Sequence, residues 1–201
     1  MCENVCTRKS WIQNVNANQW FFVPIVMNAS VRYRAEVEVV GYFNNNDTAT
    51  LFGSCVSNRR VHVSIWKQNG FYITGRYLNY YPKNNFGYGS LELAKKYTFL
   101  FDGDNASING IYATGFTDYQ DNYSNIYATV FAQSSSNTSK CSTTPAKFKL
   151  YSLWMKDDEN EIDLVPVLSP TESKCGGKPA MYDKVSKKLF CNQGSGNFIT
   201  N

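Results

Sequence analysis

Residues 31–39 read VRYRAEVEV. Val31, Tyr33, Ala35, Val37 and Val39 fall on one side of an extended chain, and Arg32, Arg34, Glu36 and Glu38 on the other. Unbroken alternation is the period of a strand with one dry face and one wet face. The same period returns in RVHVSIW (60–66), where Val61, Val63 and Ile65 point to a core and Arg60, His62, Ser64 and Trp66 share the opposite face. AKFKLYSLWMK (146–156) alternates too, with Phe148, Leu150, Ser152 and Trp154 expected on one side. ATLFGSC (49–55), FYITGRYL (71–78), KKYTFLF (95–101), NIYATVFAQ (125–133) and IDLVPVL (162–168) supply further strands.

Polar turn signals separate these runs: NNND at 44–47, KQNG at 67–70, DGDN at 102–105, Asn109-Gly110, and an acidic, solvated DDENE at 157–161. They recur roughly every 8–12 residues, the spacing of a sandwich or barrel. No segment longer than about ten residues carries a helical period. The expected fold is all-β, a single antiparallel two-sheet β-sandwich over residues 11–201 with a short N-terminal arm at 1–10.

Composition narrows the function classes. Hydrophobic residues are 43% and charged residues 18% of 201, which excludes a disordered chain. The net charge of +4 is spread over pairs such as Arg59-Arg60, Lys95-Lys96 and Lys187-Lys188 rather than runs, so no nucleic-acid partner is expected. The apolar stretch WFFVPIVM (20–27) is too short for a bilayer and contains Pro24, so no membrane span is expected. MCENVCTRKS lacks a basic start followed by an apolar run, so no secretion signal is expected. Five Asn-x-Ser/Thr sequons begin at Asn28, Asn46, Asn105, Asn122 and Asn137, a number that abundant Asn produces by chance. Six cysteines permit disulfides but leave their pairing open, and with one histidine and only Cys2 and Cys6 close together no zinc site is expected.

Several stretches resemble one family. SWIQNVNANQWFFVPIVMNASVRYRAEVEV (10–39) looks like the first hairpin of concanavalin A-like, laminin-G-like jelly-roll domains of gut bacteria and their phages, with Ile12, Gln19-Trp20 and Leu51-Phe52-Gly53 in the matching places. FDGDNASINGIYAT resembles the family's hairpin, and FKLYSLWMKDDENEIDLVPVL resembles its Lys-Leu-Tyr-Ser strand and the strand ending at Val165-Pro166. AMYDKVSKKLFCNQGSGNF (180–198) resembles the closing segment, departing from it at Ala180, Met181 and Leu189-Phe190-Cys191. The resemblance implies a jelly roll and brings no agreed catalytic residues. In that closing segment Tyr182 and Val185 are expected to bury, Asp183-Lys184 to turn outward, and Lys187-Lys188 to sit on a hairpin tip. Gly194 and Gly196 are expected to bend the chain so that Phe198 plugs one end of the core.

Catalytic chemistry finds little footing. ENEID places Glu161 and Asp163 on one face, but Pro166 stands where a glucanase-type motif of this fold needs its third carboxylate. DGDN begins like a calcium loop without the fifth-position ligand or turn glycine that follow in an EF-hand. No cofactor or metal is expected. If the face carrying Arg60, His62 and Trp66 lines a concave sheet, Trp66 stacks on a sugar ring while Arg60 and His62 bond its hydroxyls, and Tyr77, Tyr80, Tyr81 and Tyr88 extend the platform. Trp66 and Tyr81 are the foremost candidates. Capping the core or packing between subunits explains the same aromatics. The resemblance, with the short single domain and no enzymic residues, leads to an expected non-enzymatic phage virion surface protein: a fibre, tail or capsid-decoration module. Its expected partners are other virion proteins, copies of itself and host or mucosal glycans. The alternatives are a bacterial surface carbohydrate-binding module and, further off, a glycoside hydrolase.

Overall fold

A computed structural model describes residues 5–28, 30–43, 48–56, 59–66, 70–74, 92–102, 106–112, 125–137, 139 and 145–201. Among them the regular elements are all strands: β1 (Thr7–Arg8), β2 (Ile12–Gln13), β3 (Phe21–Val26), β4 (Arg32–Tyr42), β5 (Thr48–Val56), β6 (Arg59–Trp66), β7 (Gly70–Thr74) and β8 (Lys96–Phe101). They continue as β9 (Ala106–Ile108), β10 (Ile111–Tyr112), β11 (Tyr127–Val130), β12 (Ala146–Lys156), β13 (Glu161–Leu168), β14 (Pro179–Asp183), β15 (Leu189–Phe190) and β16 (Ile199–Thr200). Two antiparallel sheets form a β-sandwich. The larger runs β10-β9-β8-β4-β12-β13-β14-β15, with β1 on β13 and with β2 bridging β12 and β16; the smaller runs β3-β11-β5-β6-β7.

The alternation of residues 31–39 decides the inner face of the large sheet. Val31, Tyr33, Ala35, Val37 and Val39 are all fully buried. They meet Phe99 and Phe101 of β8 and Phe148, Leu150, Leu153 and Met155 of β12, and from the other sheet Phe21, Val23, Ile25, Phe52, Val63 and Ile65. Tyr33 stacks on Phe101 at 5.4 Å and meets Phe52 edge-on at 5.1 Å, so one ring ties the two sheets. In β5 a bulge lies between Thr50 and Phe52. The extra residue keeps Ala49 and Phe52 opposite Ile65 and Val63 on the core side, which strict alternation would not.

Three expectations on strand phase and length change. Phe148 and Leu150 are buried, but a register shift between Leu150 and Ser152 reverses the faces beyond it. Leu153 and Met155 take the core, so Ser152 and Trp154 lie on the outer face, not beside Phe148. The strand expected over 125–133 stops at Val130, because Phe131 adopts φ 63°. That turn sends the Phe131 ring into the core, 4.4 Å from Phe148, and lets Ser134 bridge β5 at Ser54. The solvated acidic turn is also not wholly solvated. Asp157 is buried; its Oδ1 accepts the N–H groups of Glu159 and Asn160, and its Oδ2 accepts the N–H of Val26 at 2.6 Å.

That last bond belongs to the outer edge of β3. Outward N–H groups recur there at every second residue. Trp20 N–H donates to Asn192 Oδ1 (2.9 Å), Phe22 N–H to Gln193 Oε1 (3.3 Å) and Val26 N–H to Asp157 Oδ2. The remaining position is Pro24, which has no N–H.

The C-terminal segment closes one end of the sandwich. Gln193 N–H donates to Trp20 O and Ser195 N–H to Asn18 O, and Asn192 bonds Gly194 N–H and Gly196 O. A Cβ at Gly194 would lie 1.5 Å from Asn18 O, so only glycine lets the two backbones meet. Gly196 holds φ 74°. Phe198 is buried, 4.9 Å from Phe131 and 6.1 Å from Phe21, the plug expected of it. Tyr182 is buried as expected, and Lys187 sits in the β14–β15 turn with φ 60°. Two neighbours reverse. Val185 is 52% exposed, because it stands in that turn rather than on a strand. Asp183 is fully buried, since its carboxylate accepts the N–H groups of Asp163, Val185 and Ser186 and the Ser186 hydroxyl. Burial alone would raise its pKa; those four donors outweigh burial and lower it.

Residues 5–10, expected as an arm, run along the large sheet: Thr7 pairs with Leu168 and Arg8 with Val167, and Lys9 N–H donates to Pro166 O. Nearby, a smaller apolar cluster of Val165, Val167, Ala180, Tyr182 and Leu189 is covered by Cys175, which is disulfide-bonded to Cys191. Cys6 packs on the same cluster and is also disulfide-bonded.

Candidate functional site

The outer face of the large sheet gathers aromatic and charged side chains around the β12 bulge. Register sets Lys149 opposite Glu38, Ser152 opposite Glu36 and Trp154 opposite Arg34. Across β4, Lys96 stands opposite Glu38 and Thr98 opposite Glu36. The bulge leaves both Tyr151 and Ser152 half-buried, and the shifted phase puts Trp154 on the same face. Bulges commonly re-aim side chains in this way.

Glu38 is the anchor of this face. Lys149 Nζ lies 2.7 Å from Glu38 Oε1, and Tyr151 Oη donates to Glu38 Oε2 at 2.5 Å. Partial burial pushes the Glu38 pKa up, but the Lys149 and Tyr151 hydrogen bonds and the nearby Lys149 and Lys96 charges prevail and lower it. Tyr151 answers in the opposite sense: desolvation and the adjacent carboxylate push its phenol up to about 12. Lys96 Nζ sits 3.8 Å above the Tyr151 ring, and Lys149 Nζ is 5.1 Å from the Trp11 ring centre, both cation–π distances. These five residues are fully engaged with one another, so they hold the face rigid.

The neighbouring strip is not engaged in this way. Trp154 is half-exposed, its Nε1–H donating to Glu161 Oε1 at 2.9 Å. That bond fixes the indole while leaving its ring faces free of hydrogen-bonding duty. Arg34 and Glu36 flank it and Ser152, and among the described residues neither makes an ion pair. A half-exposed indole beside a free guanidinium, a free carboxylate and a hydroxyl has the chemistry of saccharide recognition. An indole covers the apolar face of a pyranose, and planar polar groups bond its hydroxyls.

Of the residues expected from sequence to bind sugar, only the His62 side chain is among those described. The side chains of Arg60 and Trp66, and Tyr77, Tyr80, Tyr81 and Tyr88 altogether, lie outside the described residues. His62 is 7% exposed and its neighbour Ser64 1%, with Ser64 Oγ 3.3 Å from Thr50 Oγ1. The outer face of the small sheet is therefore covered at His62 rather than open. The DGDN turn lies largely outside the described residues; the following Asn109-Gly110 turn is present, with φ 52° and 80°. Glu161 and Asp163, weighed as carboxylates for hydrolysis, are paired with Lys156 and Lys184. Among the described residues no group of three or more His, Cys, Asp or Glu side chains is placed to hold a metal ion. Sequence inspection missed Trp154 and Arg34 as partners because the alternation of 146–156 set Trp154 on the same side as Phe148 and Leu150. The available signal was the second apolar series, Leu153 and Met155.

Comparison with protein-family models, with characterised proteins and with solved structures finds no match to this chain.

Proposed function

We propose that this chain is a non-enzymatic surface module of a phage virion (fibre, tail or capsid decoration), a jelly roll of concanavalin A-like type that binds host or mucosal glycans. The observation that carries the binding role is the Trp154 strip, where the β12 bulge sets an indole beside Arg34, Glu36 and Ser152. The virion assignment rests on the family resemblance of residues 10–39 and 180–198. Binding is favoured over hydrolysis because Glu38, two residues from Glu36 on the same face of β4, is held ionised by Lys149 and Tyr151. A glycosidase needs one carboxyl held protonated near neutral pH.

Two measurements test the reading. Purified protein on a glycan array is expected to retain a restricted set of saccharides, and Trp154→Ala to lose the neutral ones with unchanged thermal unfolding. Peptides of this chain are expected in density-purified phage particles. Binding of neutral saccharides that survives Trp154→Ala overturns the site, and absence from particles overturns the virion role.

A second reading, a bacterial surface carbohydrate-binding module, is favoured by the Cys175–Cys191 disulfide. Such bonds persist in oxidising compartments and on cell surfaces. Detection of the chain on intact bacterial cells carrying no phage genome would favour it.

A further inference from the structure

At the closed end of the sandwich lies a cavity of about 430 Å³ between the loop before β14 and the C-terminal segment. Pro179 and the Cys175–Cys191 disulfide line it; one rim, the loop before β14, carries Lys174 and Lys178, and the other, the C-terminal segment, carries Asn192 and Asn197. No carboxylate lines it. Lys174 and Lys178 are exposed, and among the described residues neither ammonium has an ion-pair partner.

Both rims are held in place. Ser173 N–H and Gly177 N–H donate to Pro170 O, and Gly176 and Gly177 hold φ 59° and 74°, so the lysine rim is a closed turn. Cys175 at its centre is bonded to Cys191. On the other rim Asn192 is spent on Trp20 N–H, Gly194 N–H and Gly196 O, while the Asn197 amide makes no hydrogen bond among the described residues. A site whose walls are already fixed loses little entropy when it fills.

We infer that this cavity binds a monosaccharide-sized anion, an acidic sugar whose carboxylate or sulfate sits between Lys174 and Lys178. Two ammonium groups with no internal counter-ion supply the charge. Pro179 and the Cys175–Cys191 disulfide suit the apolar face of a ring, and the Asn197 amide suits a hydroxyl. The volume lies in the range of small-molecule sites and fits one pyranose with its substituents. The site is independent of the Trp154 strip and stands or falls separately from it.

The test is ligand-observed NMR and calorimetry on the full, disulfide-intact chain. The probes are N-acetylneuraminic acid, glucuronic acid, N-acetylglucosamine 6-sulfate, their neutral parent sugars, and inorganic phosphate and sulfate. Acidic sugars are expected to bind, neutral parents to bind at least about tenfold more weakly, and free phosphate or sulfate also more weakly, lacking the ring contact. Lys174→Gln with Lys178→Gln is expected to abolish the preference for acid, and Trp154→Ala to leave it unchanged. Failure of every acidic sugar to bind overturns the inference. So does equal binding of neutral parents, binding by free sulfate as strong as by the sulfated sugar, or persistence of the preference in the double lysine variant.

Discussion

Among Gly41, Gly110, Gly176, Gly177, Gly194 and Gly196, Gly194 is where an added methyl group meets the closest contact. Its backbone φ is not in the left-handed region, so alanine there suffers no conformational strain, and the whole effect comes from space. The new Cβ would stand 1.5 Å from Asn18 O, and even the tightest ordinary Cβ contact needs 3.0 Å, so the chains must part by roughly 1.5 Å. That displacement breaks Ser195 N–H to Asn18 O (2.9 Å) and Gln193 N–H to Trp20 O (2.8 Å), and pulls Trp20 N–H from Asn192 Oδ1. Three bonds from backbone N–H groups at about 0.5–1.5 kcal/mol each give a loss of about 1.5–4.5 kcal/mol. Part of the Phe198 burial goes with them. Urea unfolding is the assay: Gly194→Ala is expected to lower the midpoint by about 1 M or more with an unchanged slope. Gly41→Ala is the control, since nothing lies within 4 Å of its Cβ; stability is expected to change by under about 1 kcal/mol. If Gly194→Ala costs no more than Gly41→Ala, the close contact between the two backbones is not a constraint and the account of the closing segment fails.

Asp183→Ala strips three part-buried backbone N–H groups of their acceptor and is expected to cost about 2–3 kcal/mol in the same assay, whereas Asp183→Asn, which keeps one acceptor oxygen, is expected to cost less. Glu38 and Asp183 both have lowered pKa values when folded, so their contribution is complete above the unfolded values near about 4 and drains as pH falls through the folded ones. Wild type is therefore expected to lose stability between about pH 5 and pH 2 more steeply than Glu38→Gln; parallel pH profiles would contradict the anchoring role. Replacing Cys175 and Cys191 together by serine opens a link across 16 residues and is expected to lower unfolding free energy by about 3 kcal/mol, read as a difference from wild type that disappears under reducing agent.

Where burial and periodicity point the same way, the fold was legible. Residues 31–39 alternate and have one face inside, and nothing competes with that reading. Gly194, Gly196 and Phe198 were also legible, because small residues before a lone aromatic near a terminus suggest a bend and a plug. The β12 phase was not legible. Residues 148–155 contain two apolar series, Phe148 with Leu150 and Leu153 with Met155, and only a bulge satisfies both; choosing one series through Trp154 put Ser152 and Trp154 on the wrong face. Asp183 and Asp157 were read as exposed because carboxylates usually are, yet each is outbid by backbone N–H groups that need an acceptor indoors. His62 was read as wet from alternation alone, which cannot see that Ser64 and His62 are covered. The Cys175–Cys191 pairing depends on a tertiary distance that residue spacing does not encode.

The guarded margin of β3 limits how copies of this protein could associate. A bare strand margin invites a neighbour to zip on and continue the sheet from molecule to molecule. Here Asn192, Gln193 and Asp157 occupy the donors that such a neighbour would need, and Pro24 removes another. Growth into a continuous ribbon is blocked along this flank, so crowded copies could stand side by side there without fusing.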